Sequence, residues 1–113
     1  MTNFADRLTE ANRHTGTVLC MGIDPNMAMI PALFGSGVPG SAAGAAALRD
    51  FTKACLDQAV GKVAAIKPQA AFFEQHGPAG MQVLAELGRE AVEAGLMVVM
   101  DAKRGDISST STA

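Results

Sequence analysis

The sequence has little that would suit it to a membrane, to nucleic acid or to a disulfide scaffold. Its 113 residues include no Trp, no Tyr and two Cys, and the formal net charge is −2. No apolar run approaches the roughly 18 residues that a membrane span needs, and the N-terminus lacks the order of a signal peptide, basic and then apolar. Lys and Arg are scattered, with Lys103-Arg104 as the one adjacent pair, whereas binders of the phosphate backbone carry a clustered basic surplus. We therefore predict a cytoplasmic protein that binds neither nucleic acid nor a membrane.

Cysteine, histidine and chain length set further limits. Cys20 and Cys55 lie in apolar segments far apart in the sequence, which predicts two buried thiols in a reducing compartment. His14 and His76 have no Cys, Asp or His at metal-ligand spacing, so they are predicted to be surface or loop residues.

A complete (β/α)8 barrel needs about 250 residues. A chain of 113 residues can therefore hold only part of one.

Three short apolar runs are predicted to be strands, because none of them has the polar face of a surface helix. They are Thr17–Ile23, Val63–Lys67 and Leu96–Met100. The first run is continuous, which is typical of a strand buried on both faces in a parallel sheet.

Helices are predicted before and between these strands. One runs from about Asn3 to His14, a second follows the capping residue Ser41 after a long loop, and a third starts at Pro78 and ends near Gly95. Residues 107–113 contain Ser and Thr that suit a helix cap, and they are predicted to hold only the start of a further helix. Strands that alternate with crossover helices specify an α/β fold, here with about three parallel strands.

Ionisable residues stand at the end of each predicted strand. Asp24 follows the first strand, Lys67 ends the second, and Asp101 and Lys103 follow the third. Parallel α/β folds place their active sites at these carboxyl ends, where the loops converge. Asp101 and Lys103 are two residues apart, and residues at this spacing on an extended chain point to the same side. Their opposite charges should therefore lie within a few Å of each other, which favours the charged form of both groups. A lysine held in this way suits stabilisation of negative charge on a substrate carbon and proton donation to it.

The motifs at these strand ends resemble the orotidine 5′-phosphate decarboxylase family, in its longer bacterial (type 2) form. The motifs are Gly22-Ile-Asp-Pro25, Lys67-Pro-Gln-Ala-Ala-Phe-Phe-Glu74 and Asp101-Ala-Lys-Arg-Gly-Asp-Ile107, and they occur in the family's order. The resemblance runs over nearly all of the chain. It implies that residues 1–113 form the N-terminal part of a (β/α)8 TIM barrel, cut at the start of the helix after the third strand.

The resemblance also implies an activity and a role for each charged residue. The reaction would be decarboxylation of orotidine 5′-phosphate to uridine 5′-phosphate in pyrimidine biosynthesis, with no metal and no organic cofactor. Lys103 would protonate C6 of the pyrimidine as carbon dioxide leaves, and Asp101 would lie beside the departing carboxylate. Lys67, Asp101, Lys103 and Asp106 would form one charged group. Lys67 would contact the ribose and hold this charged group together, and Asp24 would contact the ribose. Asp106 would reach the neighbouring subunit's site in a homodimer.

The family's phosphate-binding loop and arginine, and its pyrimidine contacts, come from later strands of the barrel. The 113-residue chain alone is therefore predicted not to turn over substrate. Two alternatives stay open. One is a related sugar-phosphate lyase, since the spacing of Asp101, Lys103 and Asp106 is shared across the superfamily. The other is a non-catalytic partial barrel that associates with a complementary polypeptide or with itself.

Overall fold

The computed structural model describes residues 3–105 and 107–113, which form a three-stranded sheet with helices. The strands are β1 (Cys20–Ile23), β2 (Ala65–Pro68) and β3 (Met97–Val98). The helices are α1 (Phe4–Thr15), α2 (Ala42–Ala59), α3 (Ala71–Glu74), α4 (Pro78–Glu93) and α5 (Ser108–Thr112), with a 3-10 turn at Ala32–Phe34.

The sheet is parallel, with the strands in the order β1-β2-β3. In its register Cys20 pairs with Ala65, and Ala65 pairs with Met97. Beyond the ends of β2 and β3, a further parallel bridge joins Gln69 to Asp101. The predicted fold class is therefore confirmed, and all three carboxyl ends lie at one edge of the sheet.

Helices α2 and α4 connect the strands and pack together over the sheet. Their apolar faces and the strands form one buried cluster, in which Leu48, Ile66 and Phe73 are fully buried. Burying each such side chain stabilises the fold by about 1.5–3 kcal/mol relative to leaving it in water. This packing fixes the strands on which the charged residues stand.

The predicted start and stop signals are present at the helix ends. The Ser41 hydroxyl accepts a hydrogen bond from the Gly44 N–H at 3.0 Å, and Pro78 occupies the first turn of α4. Gly16 ends α1 with a φ of +71°, a conformation that residues with a Cβ rarely adopt. The long loop before α2 is also present, and the Phe34 ring in it packs edge-on against Phe51 of α2, with 5.5 Å between ring centroids.

Strand β1 differs from its prediction. Only Cys20–Ile23 is a strand, and within it only Ile23 is buried, whereas the preceding Val18 and Leu19 are exposed. The reason is that β1 is an edge strand of the described sheet, paired on one side with β2 alone. The prediction that Cys20 is a buried thiol is wrong for the same reason, since Cys20 is exposed, while Cys55 is half-buried.

Two further differences lie elsewhere in the chain. His76 was predicted to be a surface or loop residue, and it does lie in the turn between α3 and α4. It is not at the surface, because it is only 2% exposed, and burial lowers the pKa of its imidazole. The third strand is shorter than predicted, at Met97–Val98. After β3 the next helix begins, as a short helix α5 at Ser108–Thr112.

Candidate active site

The predicted site lies at the carboxyl edge of the sheet, where β2 and the chain after β3 run side by side. The Asp101 backbone is fixed there by two hydrogen bonds: its N–H donates to the Pro68 carbonyl at 3.1 Å, and its carbonyl accepts from the Ala70 N–H at 2.9 Å. Because these bonds continue the sheet ladder, Asp101 stands opposite Gln69 as if both were strand residues. The Asp101 side chain is therefore held by the fold and not by a mobile loop.

The Asp101 carboxylate lies between two lysines. Its Oδ2 accepts a hydrogen bond from the Lys103 Nζ at 2.6 Å and another from the Lys67 Nζ at 3.3 Å. The Asp101 side chain is 13% exposed, against 42% for Lys67 and 51% for Lys103. The structure thus confirms the predicted proximity of these three residues, with a sheltered acid and two ammonium groups that reach solvent.

These contacts determine the ionisation of Asp101. The hydrogen bond from Lys103 is the main reason that the pKa of the Asp101 carboxyl lies below its ordinary value of 3.8. Partial burial of the carboxylate acts in the opposite direction, and the hydrogen bond from Lys67 lowers the pKa further. Asp101 is therefore a carboxylate at neutral pH, and each lysine faces a full negative charge.

Gln69 also contacts this group, and the sequence reasoning assigned it no role. Its Nε2 donates to the Asp101 Oδ2 at 3.2 Å, and its side chain is buried. The signal that could have found it is alternation along β2, because Gln69 is two residues beyond Lys67 and so points to the same side.

The segment after Asp101 is tied to α3 by an ion pair. The Arg104 Nη2 lies 2.6 Å from the Glu74 Oε1, and the Arg104 Nη1 donates to the carbonyls of Ala102 and Lys103 at 2.7 and 3.1 Å. Gly105 then turns the chain with a φ of +67°. Neither Glu74 nor Arg104 had an assigned role in the sequence reasoning, and together they fix the backbone on either side of Lys103.

Asp24 is not part of the ion-pair group. It is exposed at the end of β1, and within residues 3–105 and 107–113 no hydrogen bond or ion pair joins its carboxylate to Lys67, Asp101 or Lys103. It nevertheless stands at the same edge, because the register pairs the nearby Gly22 with Lys67. Asp106 lies outside the described residues, so its predicted place in a neighbouring site remains a prediction.

The remaining surface near the site is open. A hollow of about 280 Å³ lies beside Lys103 and Arg104, against α5. A larger hollow, of about 710 Å³, lies instead between α1 and the amino end of β3. Over the same residues, no group of three or more His, Cys, Asp or Glu side chains is placed to hold a metal ion.

Parallel strands that alternate with helices, with charged residues gathered at their carboxyl ends, define the chain as part of an α/β barrel of the TIM type. The chain belongs to the family described as orotidine 5′-phosphate decarboxylase / HUMPS, whose sequence model matches residues 17–113. This match includes every residue of the charged group.

Individual relatives agree with the family match. The chain is 44% identical to an orotidine 5′-phosphate decarboxylase of Rhodopirellula baltica, over 100% of this chain and 38% of the relative. It is 47% identical to the enzyme of that name from Myxococcus xanthus, over 83% of this chain and 31% of the relative. A crystal structure from Streptomyces avermitilis, assigned as an orotidine 5′-phosphate decarboxylase, superimposes with a TM-score of 0.76 at 41% identity, covering 97% of this chain and 36% of that one. The chain thus spans between 31% and 38% of the length of these relatives.

Among the helices of the described residues, none is both long enough and apolar enough to cross a membrane.

Proposed function

We propose that this chain is part of an enzyme that decarboxylates orotidine 5′-phosphate to uridine 5′-phosphate in pyrimidine biosynthesis. One observation carries the proposal: in a chain of this family, Lys67 and Lys103 converge on one Asp101 oxygen at the carboxyl edge of the sheet. An ammonium fixed by a neighbouring carboxylate is suited to a reaction that builds negative charge on carbon.

Lys103 is the proposed proton donor. In the reaction the bond between pyrimidine C6 and the carboxylate carbon breaks, carbon dioxide leaves, and the electron pair remains on C6. The positive charge of Lys103 stabilises this pair, and a proton moves from Nζ to C6, after which the lysine regains a proton from water. The Asp101 contact at 2.6 Å supports this role, because it limits the ammonium to one place before charge develops.

The other charged residues are proposed to bind and orient the substrate. Asp101 lies beside the departing carboxylate, and Lys67 contacts the ribose while it shares the Asp101 oxygen. Asp24 contacts the ribose from the neighbouring strand, which is consistent with its exposed position at the same edge of the sheet. Asp106 is proposed to enter the site of a second subunit in a cytoplasmic homodimer.

The proposed enzyme uses more of the family's barrel than these residues supply. The chain covers 38% of its relative from Rhodopirellula baltica, and the proposed phosphate contacts lie in the rest. Binding energy from the phosphate is needed to orient the reacting group, so the 113 residues by themselves are proposed to be inactive. Decarboxylation by the purified chain at the rate of a longer relative would refute this.

A substitution in a polypeptide that joins this chain to the remainder of the barrel tests the function. Lys103→Ala is expected to lower kcat for orotidine 5′-phosphate by at least about 100-fold, because it removes the charge that faces C6. Lys62→Ala is the matched control, since Lys62 is exposed and contacts Gln58 away from the site. It is expected to keep kcat within about twofold.

Two results would contradict the proposal. One is a Lys103→Ala enzyme as active as the Lys62→Ala control. The other is a wild-type enzyme that ignores orotidine 5′-phosphate but acts, with magnesium, on a ketose or keto-acid phosphate, which would favour a related sugar-phosphate lyase.

A further inference from the structure

Gln69 is the buried polar residue closest to the charged group, and its side chain is only partly satisfied. It is 4% exposed. One end of its amide donates to the Asp101 Oδ2, while its Oε1 is buried without a hydrogen-bond partner among the described residues. Buried polar atoms are nearly always paired, so an unpaired one needs an explanation.

The orientation of the amide follows from the chemistry of its partner. A carboxylate can only accept hydrogen bonds, so the amide nitrogen and not the oxygen must face Asp101. The oxygen is then turned into the interior, where its burial opposes folding. A methionine of similar length would fill the same space without that cost. Packing alone therefore does not account for a glutamine at this position.

The position of Gln69 in the sheet suggests a role for its side-chain amide N–H. The bridge between Gln69 and Asp101 sets their Cα atoms opposite each other on adjacent chains. The Gln69 backbone is itself fixed, because its N–H donates to the Ile23 carbonyl at 3.0 Å and its carbonyl accepts from the Phe72 N–H at 3.3 Å. The side-chain amide of Gln69 is therefore a hydrogen-bond donor on a backbone that the sheet holds in place. By contrast, Lys67 and Lys103 have long side chains that reach solvent.

We propose that Gln69 is a positioning residue, whose amide N–H holds the Asp101 carboxylate in the orientation in which one oxygen faces both lysine ammonium groups. Without this donor, the carboxylate can rotate toward either lysine, and the two ammonium groups lose their common partner. The inference deepens the proposed decarboxylation and rests on it for its catalytic consequence, but the orientation itself can be measured without turnover.

The test is a pH titration of the Asp101 carboxyl carbon by NMR in the 113-residue chain. Gln69→Met removes the donor and Gln69→Glu adds a like charge, and both changes disfavour the carboxylate. The titration midpoint is expected to rise by more than about 0.3 pH unit in Gln69→Met and further in Gln69→Glu. Gln75→Met is the matched control, because the Gln75 amide donates to the Phe72 carbonyl and not to the site. Its midpoint is expected to equal that of the wild type.

A stability measurement separates positioning from packing. Gln69→Met is expected to unfold at a urea concentration no lower than the wild type, because the unpaired Oε1 is gone. If Gln69→Met is folded and its Asp101 titration midpoint rises by less than about 0.3 pH unit, the proposal is overturned. Unfolding of both Gln69 variants, with Gln75→Met still folded, would also overturn it, because Gln69 would then be required for the fold.

The catalytic consequence is read in a polypeptide that carries the rest of the barrel. There, Gln69→Met is expected to lower kcat about tenfold while KM stays within about twofold, because a misplaced group affects the transition state more than substrate binding. If the titration shifts but the wild type does not decarboxylate orotidine 5′-phosphate, the proposed function fails and the positioning role stands. If the titration does not shift, the positioning role fails whatever the activity.

Discussion

Neighbouring residues of β2 are expected to respond to substitution in opposite ways. Ile66 is fully buried in the cluster under α2 and α4, whereas the next residue, Lys67, points to the other face and is half-exposed. Ile66→Ala should therefore affect stability, and Lys67→Met should affect the site. The two substitutions change adjacent positions, so they test whether one face of β2 stabilises the fold and the other face forms the site.

The structure sets the size of each effect. Replacing a fully buried Ile by Ala costs about 2–5 kcal/mol, and replacing it by Val costs about 0.5–1.5 kcal/mol. A domain of this size is stable by roughly 6–17 kcal/mol, so Ile66→Ala removes a large share of the total. Lys67 makes one contact of 3.3 Å with a half-exposed ammonium, and such a pair contributes at most about 1 kcal/mol.

The assay is urea unfolding followed by circular dichroism, since a chain without Trp or Tyr offers little intrinsic fluorescence. With a slope near 1.5 kcal/mol per molar urea, Ile66→Ala is expected to lower the midpoint by roughly 1.3–3.3 M. Lys67→Met should lower it by less than about 0.7 M, with Ile66→Val as the graded control. Equal losses in Ile66→Ala and Lys67→Met would refute the assignment of faces.

Three further predictions concern titration and reactivity. The pKa of the Asp101 carboxyl is lower in the folded chain than its ordinary value of 3.8, so as pH falls the carboxyl is protonated in the unfolded chain first. The stability that the Asp101 ion pairs contribute is therefore complete above pH 3.8 and is lost as pH falls through the folded pKa. Urea midpoints measured against pH should show this loss in the wild type and not in Asp101→Asn. Burial lowers the pKa of His76 from 6.5, so stability should also fall as pH drops below 6.5 toward the folded pKa, and His76→Phe should lack that fall. Exposed Cys20 should react with a thiol reagent before Cys55, whose pKa is raised by burial; mass spectrometry of the labelled peptides would show the reverse order if the exposures were wrong.

Most of the fold and the centre of the site follow from local rules. Ser41 and Pro78 mark helix starts because their chemistry suits those positions in any fold. The proximity of Lys67 and Asp101 follows from a parallel sheet, and the proximity of Asp101 and Lys103 follows from alternation along an extended chain. These inferences needed no knowledge of what packs against what.

The errors fall where burial depends on distant neighbours. The apolar character of Val18 and Leu19 shows that these residues could be buried, but it does not say whether another element covers them. His76 and Gln69 are polar residues at buried positions, where composition favours the surface. Gln69 could have been found by alternation along β2, whereas nothing local marks His76 as buried.

The hydrogen bond between Lys67 and Asp101 joins residues 34 positions apart in the chain. No short segment can therefore bring Lys67 and Asp101 together before β2 and β3 pair, and helices α3 and α4 lie in the chain between those strands. Closure of such a loop is an entropic cost met during folding, and non-local parallel pairing of this kind is slow compared with helix formation. The charged group and the sheet should consequently form in one kinetic step, so that the Asp101 environment appears at the rate of the whole domain.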